Sequence, residues 1–368
     1  MSGESKRPVK PASKPIARRQ FLQVAGGAVA GTLAAPAILR AQNKLEGTVF
    51  VESWGGSYAE AVKTYILEPF KQETGVDYKH SFFGNNSELL AKLKAGASRI
   101  DVTFMSDSYI LRGVQAGVLH PIRTENVPNY DLMFDKFKRP PYDPGPEVYC
   151  CGYFYGDTAI AYNEDLVSPA PDSWEVMWDP KYKGRVVAFG SGSGPIYLGA
   201  LSTGQNINDI KDLGAIEDRL LKLKPNLLKW WTGGAENTEL FATGEAWVGD
   251  FWRGRVNNLR KEGHPIGYVQ PKEGTAGWVD TMAIPSTAEN RVAAEALIDF
   301  ALRPEVQKNF VLNGITYAPT NSKIELAKDQ SDLLGASPEI LSRITFVDPI
   351  YNLKHIDAWT ELVNKIKA

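Results

Sequence analysis

Cysteine and histidine are scarce in this sequence, so it has few of the side chains that bind transition metals. Among 368 residues there are two cysteines and four histidines. The histidines are scattered at His80, His120, His264 and His355. Because no cysteine or histidine pair has the spacing of metal ligands, we predict no metal site.

The two cysteines are the neighbours Cys150 and Cys151, in the apolar run EVYCCGYFYG. This run has the composition of a buried strand, whose successive side chains point to opposite faces. We therefore expect two buried thiols. The alternative is a vicinal disulfide, which an oxidising compartment would permit but which strains the local backbone.

The common enzyme signatures are also missing. The sequence contains no HExxH, no GxSxG, no Walker A loop and no complete GxGxxG. The segment GSGSG at 190–194 is rich in glycine, but its spacing fits neither nucleotide-binding fingerprint. We predict a protein that is not an enzyme and has no cofactor. An exported enzyme remains an alternative, because a Ser–His–Asp triad leaves no fixed sequence pattern.

Neither a basic excess nor a long apolar run is present beyond the first residues. The whole chain has 41 basic and 43 acidic side chains. After residue 41 there are 34 basic and 42 acidic side chains, a net charge of −8. This balance argues against nucleic acid as a partner. No later segment approaches eighteen apolar residues, so a soluble mature protein is expected.

Residues 1–41 have the character of an export signal. A basic start is followed by the soft apolar stretch FLQVAGGAVAGTLAAPAIL, and Ala41 is a plausible last residue before cleavage. The apolar part is short and rich in alanine and glycine, which favours a signal over a spanning helix. Arg18 and Arg19, followed by Gln-Phe-Leu, resemble a twin-arginine signal. An ordinary secretory signal is the alternative.

The rest of the chain alternates strand-like and helix-like segments. Strands are predicted at 47–53, 76–78 and 101–106, each followed by a helical pattern, which implies a parallel sheet covered by helices. A second α/β half has strands at 158–163, 185–190, 246–252 and 282–284. No internal repeat or low-complexity linker separates the halves. We therefore predict an α/β protein whose two halves are joined through strands.

A set of polar and aromatic residues lies near the predicted strand ends. Ligands of open α/β sheets bind beyond the carboxyl ends of the strands, so these residues are candidate ligand contacts. The candidates are Trp54, Ser57, Ser106, Asp107, Tyr109, Ser193, Trp252, Arg253, Trp278 and Asp280.

The chemistry of this set predicts a pocket for a small amine. Tryptophan and tyrosine faces bind alkyl chains and cations, and Asp280 can neutralise an ammonium group. Arg253 and the amides of the 190–194 turn can hold a carboxylate. Two structural alternatives remain open for the charges: a salt bridge between Asp280 and Arg253, or a pair between Arg253 and Asp250.

Several longer stretches resemble the periplasmic solute-binding proteins of ABC importers, in the group of spermidine/putrescine-binding proteins. They are DSWEVMWDPKYKGR, TAIAYN, GEAWVGDFWRGR, GWVDTMAIPSTAEN and LRPEVQKNFVLNGITYAPTN. The resemblance implies a type II two-lobe fold, with two α/β domains joined by crossing hinge strands around a ligand cleft. It implies one lobe from 42–155 with 280–320, and another from 156–279 with 321–368. A periplasmic, monomeric protein that delivers a small solute to an inner-membrane permease is expected.

The resemblance also places candidate residues in the family's ligand site. It puts Trp252, Trp278 and Asp280 at an aromatic box with its ammonium-binding carboxylate. Trp54, Ser57 and the loop 106–109 fall on further ligand loops. An iron-binding relative is a remote alternative, since paired tyrosines are absent.

One departure from the polyamine pattern bears on the ligand. Polyamine binders are expected to supply carboxylates from the second lobe, but the stretch GSGSGPIYLGAL contains no acid. A second ammonium group would also meet Arg253, a like charge in a dry cleft. We therefore expect an amino-acid-like zwitterion such as γ-aminobutyrate, with a polyamine as the alternative.

Overall fold

The structure is a computed structural model, and it describes residues 45–368. The predicted export signal and its arginine pair lie outside the described residues. No helix in residues 45–368 is long and apolar enough to cross a membrane. The same residues contain no group of three potential metal ligands.

Twelve strands form in the described part of the chain. They are β1 (Thr48–Trp54), β2 (Asp77–Phe83), β3 (Val102–Ser106), β4 (Leu119–His120), β5 (Cys150–Asn163), β6 (Val186–Phe189), β7 (Leu227–Trp231), β8 (Val248–Trp252), β9 (Ile266–Val269), β10 (Thr275–Pro285), β11 (Ala318–Pro319) and β12 (Ile344–Phe346).

The α-helices in the described residues cover both halves of the sheet. They are α1 (Ser57–Val62), α2 (Glu68–Thr74), α3 (Asn86–Ala95), α4 (Asp107–Gln115), α5 (Gly194–Ser202), α6 (Leu213–Leu223), α7 (Gly234–Ala242), α8 (Arg253–Lys261), α9 (Arg291–Leu302), α10 (Pro304–Asn309), α11 (Lys328–Leu334), α12 (Pro338–Ser342) and α13 (Pro349–Lys367). Two π-helical segments, Lys63–Leu67 and Phe310–Ile315, follow α1 and α10. Short 3₁₀ turns occupy Thr124–Asn126, Pro128–Leu132, Asp135–Phe137, Trp174–Trp178, Pro180–Tyr182 and Lys224–Asn226.

The strands form one mixed sheet in the order β2-β1-β3-β10-β5-β8-β6-β7. The predicted parallel pairing is confirmed for β1 with β2 and β3, and for β6 with β7 and β8. The centre of the sheet differs from the prediction, because β10 runs antiparallel to both β3 and β5. The chain crosses from the first half to the second in β5 and returns in β10, so these two adjacent strands run in opposite directions.

The two central strands are longer than the sequence indicated. β5 extends over fourteen residues and joins two segments that the sequence predicted separately, the buried strand in EVYCCGYFYG and the strand at 158–163. β10 begins at Thr275, so Trp278 and Asp280 lie inside a strand and not before one. The sequence prediction missed the start of β10 because Gly277, Trp278 and the buried Asp280 interrupt the apolar pattern on which strand prediction depends.

The hydrophobic core is divided into three clusters. The first contains Val49, Phe104 and Leu297, the second contains Trp174 and Ile216, and the third contains Trp231, Phe241 and Phe251. β5 passes from the first cluster at Tyr155 to the second at Ile160, and β10 passes from the first at Val279 to the second at Ala276. The molecule therefore has two lobes, one on the first cluster and one on the other two. The exact lobe boundaries stay a prediction.

Cys150 and Cys151 are free and buried in β5. The expectation of two buried thiols is confirmed, and the alternative of a vicinal disulfide is not observed. Burial raises the pKa of both thiols well above the usual range, which keeps them protonated and weakly reactive.

Candidate functional site

Asp280 is buried at the centre of the sheet, in β10 between β3 and β5. Its side chain is 4% exposed. Tyr58 donates its hydroxyl to Oδ2 at 2.8 Å, and the indole Nε1 of Trp54 lies 3.3 Å from each carboxylate oxygen. The salt bridge to Arg253 that the sequence left open does not form. Asp280 forms no ion pair with any lysine or arginine of residues 45–368.

This environment raises the pKa of Asp280 to about 7. Burial is the main cause, because it penalises the charged form, and the hydrogen bonds from Tyr58 and Trp54 oppose it. Neutral donors thus hold the carboxylate in place without cancelling its charge. A cation that entered beside it would stabilise the ionised form.

Aromatic rings surround the same face of β10. Trp278 meets the ring of Tyr317 edge to face, with centroids 5.0 Å apart, and Tyr317 stacks on Phe154 at 5.4 Å. Trp278 lies directly over Gly156 of β5, where a Cβ would sit 2.5 Å from the indole ring. Only glycine leaves room for the indole at this position. Together with Trp54, Tyr58 and Asp280, these rings form what we call the Asp280 site.

Trp252, at the end of β8, comes from the other lobe. It packs against both the first and the third hydrophobic clusters. Its ring contacts Trp231 at 5.0 Å and Phe189 at 5.7 Å. Trp252 is therefore an aromatic surface of the second lobe where the two lobes meet.

Asp250 is part of the support for this surface. Its Oδ1 accepts hydrogen bonds from the Trp231 indole at 2.9 Å and from the Phe189 amide at 2.7 Å. Burial raises the pKa of Asp250 to about 7. The alternative pair between Asp250 and Arg253 does not form.

Arg253 lies on the other side of the central strands. It is 9% exposed, its Nε is 3.4 Å from Oδ1 of Asp157, and its guanidinium stacks on Tyr268 at 4.5 Å. Asp157 pairs with Gly277, whereas Gly156 pairs with Trp278, so the Asp157 and Trp278 side chains occupy opposite faces of the sheet. The structure thus does not bring Arg253 to Asp280. A ligand contact by Arg253 stays a prediction.

Arg255 is the arginine that reaches the Asp280 side. It donates from Nη1 to the hydroxyl of Ser57 at 3.3 Å, across the two lobes. A Cβ at Gly234 would sit 2.8 Å from the Trp252 ring and 3.2 Å from the Arg255 Nε, so the guanidinium lies beside that ring. Burial raises the pKa of Tyr317, and the positive charge of Arg255 opposes that shift. Sequence analysis missed Arg255, which lies in the first turn of α8, directly after Trp252 at the end of β8.

Asp107 contacts the Asp280 site through hydrogen bonds from backbone amides. Its Oδ2 accepts the amide of Val279 at 3.0 Å, and its Oδ1 accepts the amide of Ser108 at 2.6 Å. Burial, together with the nearby charge of Asp280, raises the pKa of Asp107 to about 7. The carboxylate therefore fixes the strand between Trp278 and Asp280. Direct contact of Asp107 with a ligand stays a prediction.

Ser106 and Tyr109 are held by the turn that begins α3. Asn86 donates to the Ser106 hydroxyl at 3.0 Å and accepts from the Ser106 amide at 3.2 Å. The Tyr109 hydroxyl bonds to Ser87 at 2.8 Å, and Arg112 lies over the Tyr109 ring. Both predicted residues lie next to Asp107 at the end of β3.

Ser193 belongs to a neutral polar group in the second lobe. Asn352 of α13 donates to the Ser193 hydroxyl at 2.9 Å and also bonds to Tyr197. The helix α13, which carries Asn352, contacts α4 of the first lobe. Burial, with a smaller contribution from the charge of Asp107, raises the pKa of Tyr197 above the usual range. Sequence analysis did not select Tyr58, Tyr317 or Asn352 as ligand contacts; the hydrogen-bond partners of Tyr58 and Asn352 are 222 and 159 residues away in the chain.

Comparison with known proteins assigns the chain to a family. The family model described as bacterial extracellular solute-binding protein matches residues 66–337. The spermidine/putrescine-binding periplasmic protein of Escherichia coli K12 is 32% identical over 280 residues, which cover 74% of this chain and 78% of that protein. The chain belongs to the bacterial extracellular solute-binding protein family.

Solved structures agree on the architecture. The spermidine/putrescine substrate-binding protein of Streptococcus pneumoniae has a TM-score of 0.75 and 24% identity, over 88% of this chain and 99% of that one. A GABA receptor has a TM-score of 0.72 and 24% identity, over 87% and 98%. The expected type II two-lobe fold is confirmed. The protein is the periplasmic substrate-binding component of an ABC importer.

Proposed function

We propose that the Asp280 site captures the ammonium group of a small solute. The observation that carries the proposal is a buried carboxylate with no cationic partner among the described residues, held by Trp54 and Tyr58. Indole and phenol rings stabilise a cation over their faces and bury its alkyl chain. The ammonium group supplies the positive counter-charge that the Asp280 carboxylate lacks.

The favoured ligand is a zwitterion of the γ-aminobutyrate type. Arg255 lies on the Asp280 side and can hold a carboxylate, which a second ammonium group could not approach without repulsion. The opposing group around Ser193 and Asn352 is neutral, which suits a carboxylate better than an amine. A GABA receptor shares this fold.

A polyamine is the second candidate, because the curated relatives are spermidine/putrescine-binding proteins. It requires a second anionic group from the far side of the cleft. Arg253, the arginine favoured by the sequence, lies beside Asp157 on the opposite face of the central strands from Asp280. Arg255 is therefore the stronger candidate for discriminating between the two ligands.

The approach of Trp252 and Arg255 from the second lobe to the first lobe supports the transport role. A ligand that contacts both the Asp280 site and the second lobe favours a closed shape, because only closure satisfies both ends. The closed monomer docks on its ABC permease and releases the solute without catalysis. A twin-arginine signal in residues 1–41 directs export.

A thermal-shift screen of residues 42–368 tests this function. The panel holds putrescine, spermidine, γ-aminobutyrate and 5-aminovalerate, each at a series of concentrations. At a hundred times its dissociation constant a specific ligand adds about 2.7 kcal/mol of stability. Stabilisation by the ω-amino acids alone supports the zwitterion, and stabilisation by the diamines alone establishes the polyamine. No shift with any amine would contradict the ammonium site.

A further inference from the structure

A cavity lies on the face of the central strands opposite Asp280. Its volume is about 210 Å³, and Arg253, Tyr268, Gln270, Glu339 and Arg343 contribute to its lining. Arg253 begins α8 and Tyr268 lies in β9, whereas Glu339 lies in α12 and Arg343 directly follows it. We call this space the hinge cavity, because β5, which joins the lobes, carries Asp157 beside it.

The Arg253 side chain forms fewer hydrogen bonds than is usual for a buried arginine. A guanidinium has five N–H donors, and buried polar groups almost always have hydrogen-bond partners. In residues 45–368, the Arg253 side chain forms no hydrogen bond: its Nε is buried without a partner, and its two Nη groups are unpaired but not fully buried. Its polar contact is the 3.4 Å approach to Asp157. Tyr268 covers one face of the guanidinium and Gly335 packs against its Nε, so the edge formed by the two Nη groups is left for another group.

The Asp157 carboxylate already accepts hydrogen bonds from neutral side chains and does not depend on Arg253. Tyr268 donates to its Oδ1 at 3.0 Å, and Gln270 donates to its Oδ2 at 2.7 Å. Thr275 adds a third donor at 3.3 Å. These neutral donors satisfy the carboxylate, while the arginine beside it keeps its donors unpaired.

Arg343 provides a second positive group at the same cavity. Its Nη2 lies 3.3 Å from Glu339, but the Glu339 side chain is 81% exposed. A surface pair of this kind is weak, because water screens both charges. Arg343 can therefore turn toward an anion in the cavity at little cost.

We propose that the hinge cavity binds a small oxyanion, such as a carboxylate, on the free edge of Arg253 with help from Arg343. A planar carboxylate matches the fork of a guanidinium, and charge-assisted bonds are the strongest that such a group makes. Because the cavity and the Asp280 site lie on opposite faces of β5 and β10, this anion is separate from the transported solute.

Arginine side-chain NMR tests the site directly. The ¹⁵N-labelled protein is titrated with sodium acetate, and separately with inorganic phosphate, at constant ionic strength. The Nε–H resonances of Arg253 and Arg343 are assigned from Arg253→Lys and Arg343→Lys. We expect both resonances to shift along one saturable curve with at least one of the two anions. The absence of a saturable shift with either anion would overturn the proposal.

Three variants make the test specific. Arg343→Gln removes a charged partner from a half-exposed position and should weaken anion binding about tenfold, as loss of one charge-assisted bond predicts. Lys328→Gln removes the cation of another exposed helical pair and should have no effect. Asp280→Asn should also leave anion binding unchanged. If it abolishes the Arg253 shift, the arginine belongs to the solute cleft and a separate site is excluded.

Discussion

At the scale of single residues, the function depends on how a carboxylate is kept in an apolar strand. Asp280 is held by two neutral donors, so its position is fixed while its charge remains available. Removing that charge tests its role without removing the side chain. Asn retains the shape and can still accept from Trp54 and Tyr58.

We predict that Asp280→Asn weakens binding of the solute found in the screen at least tenfold, because the bound ammonium loses its counter-charge. Calorimetry at pH 8 measures this. The wild-type affinity should also fall as the pH drops through about 7, since a proton competes with the ammonium for Asp280. The variant should lack this dependence.

Glu60→Gln is the matched control, because Glu60 is an exposed acid on the same helix as Tyr58. It should bind the solute as the wild type does. Equal affinities of Asp280→Asn and wild type would remove Asp280 from the ligand site.

The sequence could predict some site residues and not others. Trp278 and Asp280 were recognisable because a charge within an apolar segment is costly without a partner. The two arginines could not be told apart, since Arg253 and Arg255 both begin α8 and only the packing decides which face each takes. Tyr58 carried no sequence signal beyond its place next to Ser57, because its partner is 222 residues away.

At the scale of elements, β5 and β10 determine where the site can form. The glycine at position 156 leaves a gap on β5, and the indole of Trp278 from β10 fills it. The sequence indicated α/β alternation and the outer parallel strands correctly. It did not indicate the length or direction of this central pair, because pairing between distant segments has no local pattern.

We predict that Gly156→Ala displaces Trp278 and lowers solute affinity several-fold, because the added methyl group would overlap the indole. Tryptophan fluorescence should change in the ligand-free protein, and calorimetry should report the weaker binding.

Gly233→Ala is the matched control, since a Cβ at Gly233 meets no atom within 4 Å and its backbone is extended. If Gly156→Ala binds as tightly as this control, Trp278 is not held by the gap on β5.

At the scale of the whole molecule, buried acids make folding depend on pH. Burial raises the pKa of Asp107, Asp250 and Asp280 to about 7, from 3.8 in an exposed carboxyl. Each binds its proton more tightly when folded, so its stabilising contribution is present below pH about 4 and is lost as the pH rises through about 7. His80, whose pKa burial lowers to about 4, acts in the opposite direction.

We predict that Asp250→Asn gains stability relative to the wild type as the pH rises from 5 to 8. The amide oxygen can still accept from Trp231 and Phe189, while the cost of burying a charge disappears. Urea unfolding at each pH measures the difference in the free energy of unfolding. The exposed control Asp329→Asn should show a pH-independent difference, and parallel curves for Asp250→Asn would contradict the prediction.

The composition of the first hydrophobic cluster has a consequence for the order of folding. Val49, near the start of the described chain, and Leu334, near its end, belong to the same cluster. A growing chain therefore cannot complete this lobe until almost all of it has left the ribosome. The second lobe, built largely from the middle of the chain, also waits for Trp359 and Ile366. Neither lobe can fold as an early independent unit, so folding of this protein is largely a post-synthetic event.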